Sequence, residues 1–288
     1  MTEQLLLHSI TARQLKGLQD SLPHAILISG ADGVGKDIIA RQFVLQIFGA
    51  KTGTNNAGLL HISPENNGLG IEEVRKIRDF LNRKTSGTAT IRRVVLITCA
   101  DTMTSEAQNA LLKTLEEPPL DTIVILTAND PTALKQTIRS RSQQLCVMPV
   151  NQFDAETYFG KSGYAKSPVQ KAYYMSEGRV GLLKAILEGA KDHPLVGAIA
   201  KAKEVLNMSQ YDRLLIVDEL AKDKERLALL LLGLERVIAS GLHQAADKNN
   251  AVTAKKFYHI SKQVQEAKTS ISKNGNTKLV LTDLFLNL

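Results

Sequence analysis

Short unbroken apolar runs, each closed by a turn signal, set the rhythm of the first half of the chain. HAILIS at 24–29, RRVVLITCA at 92–100, DTIVILTA at 121–128 and QQLCVM at 143–148 lack the alternation of a strand with one wet face. Runs of this kind suit strands covered on both sides, as in a parallel sheet. Between the first two, KDIIARQFVLQIF at 36–48 places Ile39, Phe43, Ile47 and Phe48 at helical spacing. Strands alternating with helices predict an α/β unit with a parallel sheet and helices on both faces.

The texture changes after Pro149. Strand-like runs nearly vanish, and QKAYYMSEGRVGLLKAILEG at 170–189 and DRLLIVDELAKDKERLALLLLGLERVIASGL at 212–242 read as helices. KDHPLVG at 191–197 carries a break signal between two helical parts. The organisation expected is an α/β core over 1–150, a small helical part over 151–192 and an all-α part over 193–288. The 288 residues suffice for two or three such units.

Composition changes this picture little. A hydrophobic fraction of 43% and a charged fraction of 23% are ordinary for a globular protein. Aromatic residues make up 5%, with no Trp, which argues against a surface that stacks single-stranded bases. The net charge of +7 is spread out: 16 Lys and Arg against 14 Asp and Glu in residues 1–150, and 20 against 15 in 151–288. That balance permits contact with a DNA backbone without requiring it, and solvated helix faces account for it. Cys99 and Cys146 each sit in an apolar run and form neither a metal spacing nor a disulfide framework, as expected in a reducing cytoplasm. The start, MTEQLLLHSITARQ, has no basic stretch leading into a long apolar one, and no run approaches ~18 apolar residues. Neither an export signal nor a membrane span is expected.

The chemistry begins with ISGADGVGKDIIA at 28–40. Gly30, Gly35 and Lys36 meet the phosphate-loop pattern G-x-x-x-x-G-K-[ST], but Asp37 holds the hydroxyl position. A loop of this kind between strand and helix points backbone N–H groups at phosphate. Gly30, Gly33 and Gly35 free the backbone, Val34 lies between them, and Lys36 supplies positive charge. Asp37 can ligate magnesium, yet it adds negative charge beside a triphosphate and weakens binding. Gly30, Gly33, Val34, Gly35, Lys36 and Asp37 are therefore the candidate nucleotide-binding residues.

A second block is more specific. In SEAQNALLKTLEEPP at 105–119, Ser105 and Gln108 predict a capping-box start, and Ala107, Ala110, Leu111 and Leu115 line one helical face. Pro118 and Pro119 stop the helix. With HAILISG, ISPENNGLGIEEVRKIRDFL at 62–81 and TANDPTALKQTIRSRSQ at 127–143 in the same order, this block resembles the clamp-loader branch of the AAA+ ATPases. The likeness runs from residue 1 to about 190. It implies an AAA+ P-loop core over 1–150, a helical lid over 151–192 and an oligomerising helical collar over 193–288.

The resemblance also implies which parts of an ATPase are missing. Active members end a strand in Asp and Glu, for magnesium and for water. The matching positions here are Thr98 and Cys99, neither of which serves as a carboxylate base. Asp101, in the following turn, reads as a turn-closing residue. The lid arginine of active members corresponds to Gly181, and Arg179 falls two residues early, about 200° around a helix. What survives is Ser140-Arg141-Ser142, similar to a Ser-Arg-Cys motif whose arginine reaches a neighbour's ATP site. Arg141 is in register and Arg139 is not, and a planar, permanently charged fork suits phosphate oxygens.

The implied role is that of a non-hydrolysing stator, with Arg141 as a finger acting in trans and ATP or ADP held without turnover. The implied partners are tau/gamma and delta subunits in a hetero-pentamer, with a sliding clamp and primed DNA reached through the complex and no membrane. Many relatives carry a four-cysteine zinc module after the first helix; GAKTGTNNAGLLH at 49–61 has no cysteine, and His61 alone makes no site, so no zinc is expected. Two enzymatic alternatives, an active ATPase of the tau/gamma type or a small nucleotide kinase, are opposed by Thr98 and Cys99. A stand-alone DNA-binding module is opposed by the even charge split and the scarce aromatics.

Overall fold

The apolar runs become neighbours in one parallel sheet. The computed structural model, which describes residues 5–49, 57–64, 68–83, 90–190 and 193–288, divides into two units, Met1–Val150 and Asn151–Leu288. The first starts with α1 (Ser9–Asp20), β1 (Ala25–Ser29), α2 (Lys36–Phe48), β2 (Leu59–Ile62) and α3 (Ile71–Leu81). It continues through β3 (Arg93–Ile97), α4 (Ser105–Glu116), β4 (Thr122–Ala128), α5 (Gln136–Arg141) and β5 (Gln143–Cys146). The strand order is β2-β3-β4-β1-β5, and every pairing is parallel.

β1, β3 and β4 are buried at every residue because successive side chains feed two different cores. Leu27, Ile97 and Leu126 pack with Ile77 of α3 and Leu111 of α4 on one face. Ile26, Leu96 and Ile125 pack with Leu18 of α1 and Phe43 of α2 on the other. Each such side chain removed from water stabilises the fold by roughly 1.5–3 kcal/mol.

Four elements of this unit, α1, β2, α3 and α5, have no counterpart as strands or helices in the sequence expectations, although α3 and α5 lie in stretches that carry the family resemblance. β2 is a four-residue edge strand, too short and too polar at His61 to read as an apolar run. α1 starts at a histidine cap, with His8 Nδ1 accepting the Ile10 N–H at 3.2 Å. Its Thr11, fully buried, donates to the Cys146 carbonyl at 3.0 Å and accepts the Met148 N–H at 3.1 Å. Those two bonds occupy backbone groups at the end of β5 and just past it that an uncovered edge would leave open. Cys146, read within an apolar run, is exposed on that outer strand.

The start of α4 corrects the expected capping box. Thr104 is the cap, its Oγ1 accepting the Ala107 N–H at 3.2 Å. Gln108 is buried and works across space: Nε2 donates to the carbonyls of Met103 and Ala133, both at 3.2 Å, and Oε1 accepts the Lys135 N–H at 2.8 Å. Ala107, Leu111 and Leu115 are buried as expected, whereas Ala110 is only partly covered.

The second unit is all helix. It comprises α6 (Gln152–Lys161), α7 (Lys166–Ser176), α8 (Val180–Glu188), α9 (Pro194–Asn207), α10 (Gln210–Leu215), α11 (Val217–Leu220), α12 (Lys224–Asp247), α13 (Ala251–Ser272) and α14 (Thr277–Asn287). The expected lid and collar both fall inside this unit; residues 191–192 of the expected break lie outside the described residues. The long helical reading of 212–242 is interrupted, because Asp223 caps a fresh start by accepting the Arg226 N–H at 2.9 Å. Arg213 is buried and closes α9, donating to the carbonyls of Val205 at 2.9 Å and Leu206 at 3.1 Å.

α12 has no unbroken run of ~18 apolar residues, in keeping with the sequence reading, since charges at 224–226 and 235–236 interrupt it. As a helix it is nonetheless long and apolar enough to cross a membrane. Its 24 residues pass that test by length and composition, but 44% of the apolar window is already buried within the protein. Leu227, Leu234 and Ile238 pack against Ala202 of α9, Val264 of α13 and Phe285 of α14. It is the central helix of this bundle.

Candidate nucleotide-binding site

Parallel strands send all their carboxyl ends to one edge, and the polar residues just beyond those ends converge there. β1 runs straight into the glycine loop. Gly30 has φ +151°, and a Cβ on it would lie 2.5 Å from the Val147 carbonyl oxygen, so no other residue fits. Gly33 and Gly35 also have positive φ, 81° and 94°, and Val34 between them is anchored in the core. α2 then opens at Lys36, and its first turn leaves N–H groups without helical acceptors.

Lys36 is buried at 8% exposure, and its Nζ donates to the Ala31 carbonyl at 3.0 Å and to Asn129 Oδ1 at 2.7 Å. Burial pushes its ammonium below the usual range, against the pull of Asp32, Asp37, Cys99 and Asp101. Asp37 Oδ1 accepts the Thr127 hydroxyl at 2.9 Å, and Thr127 Oγ1 in turn accepts the Cys99 N–H at 3.1 Å. One relay thus ties the ends of β3 and β4 to the start of α2. Asp101 Oδ2 accepts the backbone N–H groups of Asn129 and Asp130, both at 3.1 Å, so it closes the loop after β4.

Thr127 and Asn129 were not among the expected site residues. Each stands at the end of β4, and only the observed adjacency of β4 to β1 sets them against the glycine loop. The Asn-Asp-Pro that ends the strand was the available signal.

At the end of β3, Thr98 is buried and its hydroxyl donates to the Ile62 carbonyl at 3.3 Å and lies 3.4 Å from His61 Nε2. Cys99 adopts φ 51°, a left-handed conformation that non-glycine residues rarely take. Burial, and then Asp37 and Asp101, push its thiol above the usual range. The imidazole of His61 is pushed down by burial and by Arg41, against Asp37. Among the described residues no group of three or more His, Cys, Asp or Glu is placed to hold a metal ion. Residues 50–56 of the stretch compared with a zinc module lie outside the described residues.

The fold class implies a magnesium nucleotide at such a loop. The glycine turn, the start of α2 and Lys36 fit the phosphates. Asp37 adds charge where a hydroxyl would serve, and Thr98 and Cys99 stand at the end of β3. Any nucleotide held here would also have to compete with Asn129 and Ala31 for Lys36.

Arg141 is not part of this cluster. It ends α5, two residues before β5 begins, and so lies at the opposite, amino edge of the sheet. Its guanidinium pairs with Glu116 Oε1 at 3.0 Å and donates to the Thr137 carbonyl at 3.3 Å, with the side chain 37% exposed. In the other unit Gly181 lies in the first turn of α8, and Arg179 caps that helix. Arg179 pairs with Glu177 at 3.1 Å, an acid that also receives the buried Arg236.

The model of the family described as DNA polymerase III, delta subunit matches residues 8–151. The chain is 34% identical over 132 residues to the DNA polymerase III subunit delta' of Escherichia coli K12, covering 44% of this chain and 39% of that protein. It is 29% identical over 184 residues to the subunit delta' of Haemophilus influenzae, covering 58% and 56%. Against the DNA polymerase III subunit tau of Bacillus subtilis the identity is 34% over 143 residues, covering 44% and 25%. The chain therefore spans about half or less of the length of these relatives. Among solved structures, a DNA polymerase III gamma subunit-related protein from Thermotoga maritima superposes with a TM-score of 0.52 at 21% identity, over 96% of this chain and 97% of that one. That likeness establishes the AAA+ fold. The chain belongs to the DNA polymerase III delta-subunit family, in the delta-prime group of the AAA+ clamp-loader branch.

Proposed function

We propose that this chain is a stator: a clamp-loader subunit that does not hydrolyse ATP and that offers Arg141 to the nucleotide site of a neighbouring ATPase subunit. The observation that carries the reading is the end of β3. Hydrolysis needs an acidic group there to position magnesium and water, and Thr98 and Cys99 hold those places, one bound to Ile62 and the other to Thr127. The placement of Arg141 supports the same reading. An arginine across the sheet from its own glycine loop has no role at that loop, and a partly exposed guanidinium is available to phosphate oxygens outside the chain.

On this reading the partners are tau/gamma and delta subunits in a cytoplasmic hetero-pentamer that loads a sliding clamp on primed DNA. ATP or ADP at residues 30–37 would meet backbone N–H groups and Lys36 but no water-activating group. The glycine loop still favours one rival, an active ATPase of the tau/gamma type. Steady-state ATP turnover by the purified chain, alone and then mixed with tau/gamma and delta subunits, separates the two. No turnover alone, with changed clamp- and DNA-stimulated turnover in the mixture, is the expected result. Robust turnover by the chain alone would replace the stator with the ATPase.

A further inference from the structure

Three lysines of the helical unit line one cavity that no carboxylate lines. The cavity, about 480 Å³, is bordered by α7, α9, α12 and the start of α13, with Lys171, Lys203 and Lys248 on its rim. Inside it the ring of Phe257 lies so close to Gly241 that a Cβ there would sit 2.4 Å from the ring. Six other lysines of this unit neutralise their charge on acids: Lys166 on Glu156, Lys184 on Glu188, Lys201 on Glu204, Lys262 on Glu266, Lys268 on Glu235 and Lys278 on Asp218. Among the described residues, Lys171, Lys203 and Lys248 form no such pair; Lys161, Lys222, Lys224, Lys255, Lys256 and Lys273 form none either, but they do not line this cavity.

Like charges gathered around one concavity repel one another, and a shared anion removes that repulsion. The start of α13, 22 residues long, adds the positive end of a helix dipole through the lining residues Asn250 and Thr253. The volume lies within the range of small-ligand sites, and the mixed lining suits a ligand with an anionic end and a flat apolar part. We infer that this cavity binds a phosphate-bearing ligand, either a free nucleotide or a phosphate group of a nucleic-acid strand. It is independent of the glycine loop, which belongs to the other unit.

The test titrates the full chain with ADP and inorganic pyrophosphate by calorimetry, and with a short labelled DNA strand by fluorescence anisotropy. Three proteins are compared: wild type, a triple Lys171→Gln, Lys203→Gln, Lys248→Gln variant, and Lys36→Met as control for the glycine loop. All three rim lysines are exposed, so the triple variant keeps the fold. The expected result is binding weakened about tenfold or more by the triple change, as for loss of charge-assisted hydrogen bonds, and retained in Lys36→Met. A response confined to ADP and pyrophosphate identifies a free phosphate ligand. A response confined to DNA, with the salt slope lowered by about two to three, identifies the nucleic-acid backbone. Wild type that binds no probe, or a triple variant that binds as tightly as wild type, overturns the inference.

Discussion

At the carboxyl edge of the sheet Lys36 and Asp37 are bonded to Ala31, Asn129 and Thr127, and Asp101 Oδ2 is held by the backbone of 129–130. At the amino edge the charges divide. Arg92 and Arg93 are held by Asp121, at 3.0 and 2.5 Å, while Arg141 rests on the half-exposed Glu116. A surface pair of that kind is worth roughly 0–1 kcal/mol, so Arg141 can leave it for a stronger anion at little cost. The edge that normally holds nucleotide is tied to itself, and the edge that normally does nothing keeps one arginine loosely tethered. Under the proposed function, an inward site and an outward arginine together are what a stator needs.

The largest effect expected from this contrast is on a partner. Arg141→Ala should reduce ATP turnover at the adjoining site of the assembled complex by ~10³-fold or more, the range known for arginine fingers. The isolated variant should keep its stability within about 1 kcal/mol, and Arg141→Lys should fail to restore turnover because a point charge lacks the fork. Unchanged turnover in the assembly would remove the functional half of the contrast. A large stability loss would show Arg141 to be a structural residue.

The buried half of the same edge should behave in the opposite way. Asp121 accepts from the side chains of Arg93 and Thr122 and forms an ion pair with Arg92, and its carbonyl accepts the backbone N–H groups of both arginines at 2.9 and 3.0 Å. Asp121→Ala leaves a buried guanidinium uncompensated and should cost about 3–5 kcal/mol in urea unfolding. A loss under about 1 kcal/mol would mean that the two arginine environments at this edge do not differ.

What the sequence disclosed of these edges follows from how local each signal is. β1, β3 and β4 were legible because burial on both faces leaves nearly unbroken apolar runs, the edge strand β5 because Leu145 and Val147 are apolar and buried beside exposed neighbours, and the glycine loop because its φ angles demand glycine. β2 was not, since four residues with a histidine at an edge carry no period. Gln108 was misread because a helix start explains the same letters, whereas its partners Ala133 and Lys135 lie in another segment. Thr127 and Asn129 depend on strand order, which no single stretch encodes. The same limit applies to Lys171, Lys203 and Lys248 of the second unit, which only packing brings to one cavity.

The glycine loop offers a smaller test of how rigid the closed edge is. Gly30→Ala combines positive φ with a Cβ 2.5 Å from the Val147 carbonyl and should cost about 3 kcal/mol. Gly35→Ala meets nothing within 4 Å and bears only its φ of +94°, for about 1 kcal/mol. Equal losses would show that the loop moves away from Val147, and the edge would then be open to a ligand.

The smallest effect is a pH slope, and its sign follows from Lys36. Because burial lowers the folded Lys36 below its ordinary 10.5, the unfolded chain binds more protons between the two values, and stability there rises with pH. Cys99 acts the other way: its thiol is raised above 9.0 by burial, so the folded chain holds the extra proton and stability falls as pH passes that value. Unfolding free energies measured from about pH 8 upward should therefore show a more positive slope for wild type than for Lys36→Met. Removing Lys36 also takes away a cation that lowers the thiol, which drives the variant further in the same direction. Equal slopes would mean that Lys36 is solvated like any surface lysine, and that the bonds to Ala31 and Asn129 do not close the carboxyl edge against a nucleotide.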